Sequence, residues 1–190
     1  MKPQLETPQD IRQHIWKELG RASQDRHHEW RTPVLATVGT DGSVNARTVV
    51  LREVNAQTQT LQIFTDARSS KVQELGQQAE AVFVFWSKRL SWQLRVRADI
   101  SVQTSGPEVQ VLWDRVKQSA AAADYLSAIA PGSVLTSAET VSGESVSADS
   151  NQHHFARLTA QVSEMDWLEL GRAGHRRAKM GLDLWEWLTP

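Results

Sequence analysis

From Pro33 onward the hydrophobic residues repeat mainly with a period of two, and this period predicts a fold dominated by β-strands. Val34–Val38 is an apolar strand, Asp41-Gly42 is a hairpin turn, and residues 44–54 read as one returning strand. The same pattern predicts a buried strand at 81–86, further strands at 61–65, 91–102 and 154–164, and shorter ones up to residue 188. Six or seven strands with short connections and no alternation with helices predict a mainly β fold, an antiparallel barrel or sandwich with peripheral helices.

Helical patterns are confined to a few segments. Residues 7–22 carry Thr7 as a cap, Pro8 at the first position and an apolar stripe that includes Ile11 and Ile15, so an N-terminal helix is expected. The residues 136–152 are rich in Ser, Glu, Thr and Ala and predict a mobile loop. We expect residues 1–190 to form a single domain, because this length provides one full core.

The charge balance excludes some partners. The chain has 21 basic and 22 acidic residues, a formal net charge of -1, so neither nucleic acid nor an acidic membrane is an expected partner. It has no cysteine, and we expect a soluble cytoplasmic protein because no signal core or membrane-spanning run is present. Six histidines include two adjacent pairs, whose side chains diverge, so no metal site is predicted.

The segment around residues 47–71 carries the chemistry that the sequence makes most evident. A strand ends at Thr65, and a helical pattern begins directly after Ser69 and Ser70, which are both suited to the cap position. A helix start offers free backbone N–H groups and the positive end of the helix dipole, so it favours an anion. Lys71 in the first turn would be repelled by the positive end of the helix dipole unless an anion lies between the lysine and the helix start. The sequence therefore predicts a phosphate site here; a capped surface helix with solvated charges is the alternative.

The predicted strand 91–102 has two chemically different faces. Gln93, Arg95 and Arg97 share one face, and apolar residues share the other. The polar face would lie in solvent, line a polar site or form a subunit seam. The eight tryptophans against one tyrosine suit half-buried surfaces such as pockets and interfaces, although they would equally serve a large core.

Several short motifs resemble those of one family. Arg47-Thr48-Val49-Val50-Leu51-Arg52 resembles an Arg-x-Val-Leu-Leu-Lys strand, Phe64-Thr65 an aromatic-Thr pair, and Ser69-Ser70-Lys71 a Ser-Arg-Lys phosphate motif. Gln93 matches a ring-contacting glutamine, Trp167 and Arg177 a tryptophan and an arginine ten residues apart, and His175 a substrate-contacting histidine. In this order and spacing, the motifs resemble the pyridoxamine 5'-phosphate oxidase family of flavin mononucleotide (FMN)-binding proteins.

The resemblance implies an FMN-binding split β-barrel of antiparallel Greek-key type and an obligate homodimer with FMN in the subunit seam. It implies that the flavin supplies the chemistry, so that the protein needs no catalytic base or nucleophile of its own. Arg52 and His175 would contact a small-molecule substrate, and Trp167 and Arg177 would act across the interface from Arg47. The residues expected to bind FMN are Arg47, Thr48, Val50, Leu51, Arg52, Phe64, Thr65, Arg68, Ser69, Ser70, Lys71, Gln93, Trp167 and Arg177, with Arg68 a substitute for the arginine that Ser70 replaces.

The chain also departs from the family pattern. Where the resemblance places a Tyr, Arg and Ser that hold the phosphate of the B6 substrate, an ungapped alignment gives Leu112, Val116 and Ala120. These side chains cannot bind phosphate, so the resemblance indicates a divergent FMN-binding oxidoreductase with an unknown substrate. A genuine pyridoxamine 5'-phosphate oxidase and a non-catalytic module that binds or senses FMN or haem are the two alternatives.

Overall fold

The computed structural model describes residues 7–135, 153–181 and 184–190. The predicted mobile loop 136–152 and the N-terminal residues 1–6 lie outside the described residues. Three α-helices and nine strands are present in the described part. The helices are α1 Pro8–Gln24, α2 Ser70–Gln77 and α3 Pro107–Val116; the strands are β1 Val34–Val38, β2 Val44–Thr48, β3 Leu51–Asn55, β4 Thr60–Asp66, β5 Glu80–Ser87, β6 Trp92–Gln103, β7 Phe155–Glu169, β8 Arg176–Met180 and β9 Trp185–Leu188.

The strands form one antiparallel sheet in the order β2-β1-β5-β6-β7-β4-β3, with β8 paired to β7 and β9 paired to β8. The two ends of this order, β2 and β3, follow each other in the chain but do not pair with each other. The sheet is therefore not closed by hydrogen bonds. The predicted mainly β architecture with peripheral helices is confirmed.

The prediction of one strand over 44–54 is wrong. The chain leaves β2, at one end of the sheet order, after Thr48 and reaches β3, at the opposite end, at Leu51. Val49 and Val50 make this crossing, and the Val49 amide donates to the carbonyl of Pro33 at 2.9 Å. Arg47 and Arg52, expected at the two ends of one strand, thus lie on strands at opposite ends of the sheet order.

The N-terminal helix covers the core and is confirmed with small changes of boundary. Thr7 is the cap, and its hydroxyl accepts from the Asp10 amide at 3.2 Å, while the Asp10 carboxylate accepts from the Thr7 amide. The helix continues through Gly20 and ends at Gln24. Ile11 and Ile15 are fully buried in the main core.

Strands β5 and β6 have one side toward the core and one side away from it. Phe83 and Phe85 are buried, but Trp86 is 48% exposed, so the prediction that the whole segment 81–86 is buried is wrong. The expected alternation in β6 is confirmed, since Arg95 and Arg97 are exposed and the apolar residues Leu94, Val96 and Ala98 are buried. We call the side of the sheet that carries Trp86, Arg95 and Arg97 the outer face.

A second, smaller cluster lies beside the main core. It is formed by α3, by a 3₁₀ helix at Ala120–Tyr125 and by the beginning of β7, and it contains Trp113, Tyr125 and Phe155. Phe64 of β4 packs against it. In the described segments, no helix is both long and apolar enough to cross a membrane.

Candidate functional site

Helix α2 begins four residues after β4 ends, and hydroxyl groups lie close together at this junction. Ser69 is the N-cap residue, but its side chain makes no capping hydrogen bond to the first turn of the helix. Instead its Oγ lies 3.2 Å from the Oγ1 of Thr65, at the end of β4. Both residues are buried. The start of α2 therefore retains backbone N–H groups that the cap side chain does not satisfy.

Lys71 brings a cation to the same place. Its Nζ donates to Thr65 Oγ1 at 2.9 Å, and within the described residues no carboxylate oxygen lies within 4.0 Å of Nζ. Burial lowers the pKa of Lys71, the neighbouring Arg47 lowers it further, and the carboxylates of Asp66 and Glu74 act in the opposite direction. Two cations are thus held close together in a partly buried place, and a bound anion would stabilise both.

Arg47 reaches this junction from β2. It pairs across the strands with Leu35, so its side chain lies on the core side of the sheet. Its Nη2 donates to Glu74 Oε2 at 2.9 Å, and its Nη1 donates to the hydroxyl of Thr37. We call Arg47, Thr65, Ser69 and Lys71 the anion site. The structure brings together these four residues of the predicted set.

Two other members of the predicted phosphate motif do not join the anion site. Arg68 makes two hydrogen bonds to the Asp66 carboxylate, from Nε to Oδ1 at 3.1 Å and from Nη2 to Oδ2 at 2.7 Å. It also donates to the carbonyls of Ser127 at 2.9 Å and Ala128 at 3.2 Å. The hydrogen bonds that Arg68 donates to the Asp66 carboxylate raise the pKa of Arg68. Arg68 therefore fastens the segment after the 3₁₀ helix to the end of β4, and Ser70 is exposed.

Arg52 and Phe64 belong to the side of the smaller cluster. The guanidinium carbon of Arg52 lies 5.7 Å from the centroid of the Phe64 ring. Arg52 also interacts with the hydroxyl of Tyr125, whose pKa is raised by burial and lowered by Arg52. The Nε of Arg52 is buried without a hydrogen-bond partner in the described part of the chain. Tyr125 is not among the residues predicted from the sequence, although it is the only tyrosine in the chain.

Gln93 and Arg177 lie in one row on the outer face. Gln93 pairs with Trp86 on one side and Leu168 on the other, and Leu168 pairs with Arg177. Arg177 makes two hydrogen bonds to Asp166, at 3.0 and 2.8 Å. Within one chain, this row is on the side of the sheet opposite to the side from which Arg47 reaches the anion site.

The expectation that Trp167 binds FMN requires correction. Trp167 is fully buried, with its ring centroid 5.2 Å from that of Trp92 in an edge-on arrangement. It pairs with Ala178, whereas Leu168 pairs with Arg177, so Trp167 and Arg177 point to opposite faces of the sheet. The register of the β7–β8 hairpin thus makes Trp167 a core residue, and we remove it from the candidate contacts.

The remaining predicted residues are dispersed. His175 is exposed in the turn before β8, where its Nδ1 accepts from the Gly171 amide at 3.3 Å. Thr48 is exposed, Leu51 is fully buried in the core, and Val50 lies half-buried in the crossing between β2 and β3. Of the first motif, only Arg47 belongs to the anion site. No cluster of His, Asp and Glu suited to a metal ion occurs in the segments that the structure describes.

Comparison with known proteins gives a family match and a fold match. Residues 13–104 match the model of the pyridoxamine 5'-phosphate oxidase FMN-binding domain. A pyridoxine/pyridoxamine 5'-phosphate oxidase from Thermosynechococcus vestitus is 41% identical over 66 residues, which are 35% of this chain and only 30% of that relative.

Two solved structures are similar over nearly the whole chain. One is a pyridoxamine 5'-phosphate oxidase-related, FMN-binding protein from Nostoc punctiforme, with a TM-score of 0.71, 20% identity, and coverage of 97% of this chain and 99% of that one. The other is PhzG from Burkholderia lata in complex with tetrahydrophenazine-1-carboxylic acid, with a TM-score of 0.70, 16% identity, and coverage of 100% and 98%.

These comparisons confirm the family resemblance over residues 13–104 and the split-barrel fold. The sequence identity to these two solved structures is only 20% and 16%, which confirms that the chain has diverged from them. The family match includes the anion site and Gln93, but it ends before Trp167, His175 and Arg177.

Proposed function

We propose that this protein is a cytoplasmic, homodimeric FMN-binding flavoprotein and an oxidoreductase that acts on a small molecule. The observation that carries the proposal is the anion site. There, the Lys71 ammonium donates to one of two buried hydroxyls at a helix start, and Glu74 of the same helix holds the neighbouring Arg47 guanidinium. A phosphate monoester satisfies all these groups, because it brings negative charge and several acceptor oxygens.

The residues present fit the phosphate end of FMN. Arg47 would bind through directional guanidinium N–H groups, Lys71 would act as a point charge, and Thr65 and Ser69 would donate hydroxyl hydrogen bonds. FMN supplies hydride and electron transfer when bound. The residues of the chain bind the phosphate and orient the cofactor, and the proposed reaction requires no proton transfer by a side chain.

The outer face supports the dimeric part of the proposal. Trp86, Val34 and Val38 are exposed apolar residues on this face, at 48%, 37% and 40%. Gln93 and Arg177 lie in the same row as Trp86. A second copy seated on this face would bury the apolar residues, and it would place Gln93 or Arg177 beside a cofactor whose phosphate the other copy holds.

A second candidate, a pyridoxamine 5'-phosphate oxidase, is favoured by one observation. Arg52 and the Tyr125 hydroxyl form a pair that a substrate phosphate would suit, although Leu112, Val116 and Ala120 supply no polar groups. Oxygen consumption with pyridoxamine 5'-phosphate, together with formation of pyridoxal 5'-phosphate, would establish this activity. If the FMN-loaded protein oxidises only other amines or nicotinamide donors, the candidate is wrong.

The test of the proposed function is a flavin-binding experiment on the full chain. The purified protein is mixed with FMN or riboflavin, separated from free ligand, and its absorbance spectrum is recorded. We expect retention of FMN in preference to riboflavin, and loss of this preference in Lys71→Met. Lys117→Met, which removes a lysine paired with Asp114 at the surface, is the matched control and should retain FMN. Failure of the wild-type protein to retain FMN would overturn the proposal.

A further inference from the structure

Glu74 is a buried carboxylate on the same helix as Lys71, three residues later. It is 5% exposed and accepts three side-chain hydrogen bonds. The donors are Thr37 Oγ1 at 2.5 Å, Asn45 Nδ2 at 3.0 Å and Arg47 Nη2 at 2.9 Å. These bonds connect α2 with β1 and β2, so one carboxylate joins the helix that carries one cation of the anion site to the strand that carries the other.

Glu74 and Thr37 hold Arg47 from one side only. Their bonds engage Nη1 and Nη2 of the guanidinium, and among the described residues no hydrogen bond engages its Nε. Because a guanidinium is planar and has five N–H donors, fixing two of its nitrogens also fixes the direction of the remaining donors. The side chain of Arg47 remains 22% exposed, which leaves these donors accessible to a ligand.

Glu74 also offsets the repulsion between Arg47 and Lys71. Both cations lie at a partly buried junction, and with no counter-charge they would separate, the long arginine turning toward solvent. A carboxylate within hydrogen-bond distance of Arg47 opposes this separation while the anion site holds no ligand.

We propose that Glu74 is a positioning residue that orients the Arg47 guanidinium toward the anion bound at the start of α2. This inference rests on the proposed function, because the anion is taken to be the phosphate of FMN. Glu74 touches neither the phosphate nor the flavin ring; it acts through Arg47. If Glu74 mainly repelled the phosphate, removing its charge would strengthen FMN binding. If Glu74 positions Arg47, removing its charge weakens FMN binding, so the direction of the change separates the two roles.

The test is a double-mutant cycle measured with two ligands. FMN and riboflavin dissociation constants are determined by flavin fluorescence for the wild type, Glu74→Gln, Arg47→Ala and the double variant. We expect Glu74→Gln to weaken FMN binding about tenfold, the effect of losing one hydrogen bond to a charged group, and to leave riboflavin binding unchanged. In the Arg47→Ala background, the same substitution should have no further effect.

Two further variants keep the test decisive. Glu74→Asp retains the charge but shortens the reach, and it should also weaken FMN binding, so it replaces Glu74→Gln if that variant does not fold. Glu18→Gln removes another buried carboxylate, which binds Arg21 and Arg89 and is 1% exposed. It should reduce thermal stability and leave the preference for FMN over riboflavin intact.

The outcomes distinguish this inference from the proposed function. If the wild type does not prefer FMN to riboflavin, both are wrong. If the wild type prefers FMN and Glu74→Gln binds FMN equally well or more tightly, only the positioning role is wrong. An equal loss in the presence and absence of Arg47 would also overturn the positioning role, since Glu74 would then act independently of the arginine.

Discussion

The anion site and the β7–β8 hairpin differ in how sequence neighbours become spatial neighbours. At the anion site, Thr65, Ser69 and Lys71 converge because β4 ends and α2 begins within a few residues, which leaves the chain little freedom. In the hairpin, Trp167 and Arg177 are nearly opposite each other and still point to different faces. Spacing therefore predicts convergence at a strand-to-helix junction, but across a hairpin the register decides it.

The largest expected effect concerns the anion site. Arg47→Ala combined with Lys71→Ala should weaken FMN binding by at least about 100-fold, because each substitution removes a charge-assisted hydrogen bond of about 1.5–3 kcal/mol. The fold should remain intact, since Glu74 retains Thr37 and Asn45 as donors. Flavin fluorescence titration and circular dichroism measure both quantities. Unchanged FMN affinity in the folded double variant would contradict the assignment.

Trp167→Ala should have the opposite effects, a large loss of stability and almost unchanged FMN binding. Truncating this fully buried ring should lower the free energy of unfolding by about 3–5 kcal/mol, and the protein that remains folded should bind FMN within about twofold of the wild type. Trp167→Phe is the milder control. Denaturant unfolding together with FMN titration tests the difference between the two regions; a variant of normal stability that had lost FMN would return Trp167 to the site.

The pH dependence of FMN binding sharpens the assignment of Lys71. Burial and the neighbouring Arg47 lower the pKa of Lys71. In the ligand-free protein, Lys71 therefore loses its proton at a lower pH than an ordinary lysine, whose pKa is 10.5. FMN affinity should therefore fall by about tenfold as the pH rises through that pKa. In the same interval, up to pH 10.5, the unfolded chain binds more protons, so the ligand-free protein should gain stability with rising pH. Lys71→Met should abolish both trends, and trends that persist in this variant would contradict the assignment.

The smallest expected effect belongs to the hairpin. Burial opposes ionisation of Asp166, but hydrogen bonds from Arg177 and Arg95 outweigh it, so the pKa of Asp166 lies below its ordinary value of 3.8. Asp166 then contributes stability that is complete above pH 3.8 and is lost as the pH falls through the folded-state pKa. Asp166→Asn should cost less than about 1 kcal/mol, because the side chain of Arg95 is 45% exposed and water screens its charge. Thermal unfolding between pH 2 and 7 measures this, and an acid profile unchanged by the substitution would contradict it.

Much of the fold follows from the hydrophobic period, and the errors have identifiable causes. The crossing between β2 and β3 was missed because Val49 and Val50 are β-branched and have the same strand preference as their neighbours. Only the pairing of β2 with β1 and of β3 with β4 reveals the break.

The candidate site was predictable where its residues are close in sequence. Lys71 donates to Thr65, six positions away, and both lie in the segment 47–71 that the sequence marks as a phosphate site. Glu74 accepts from residues 27 and 37 positions away, and Tyr125 of the 3₁₀ helix reaches Arg52 of β3, so no local pattern marks Glu74 or Tyr125. Such partners become apparent only once the strand order is known.

The open ends of the sheet have a consequence for amide hydrogen exchange. Strands β2 and β3 each have a hydrogen-bonded neighbour on one side only, so their backbones should open locally at a lower free energy than those of β6 and β7. Arg47 is on β2 and Arg52 is on β3. The strands that carry these two arginines should therefore exchange amide protons earlier than β6 and β7, and a ligand that binds Arg47 should slow exchange in β2 without affecting the centre of the sheet.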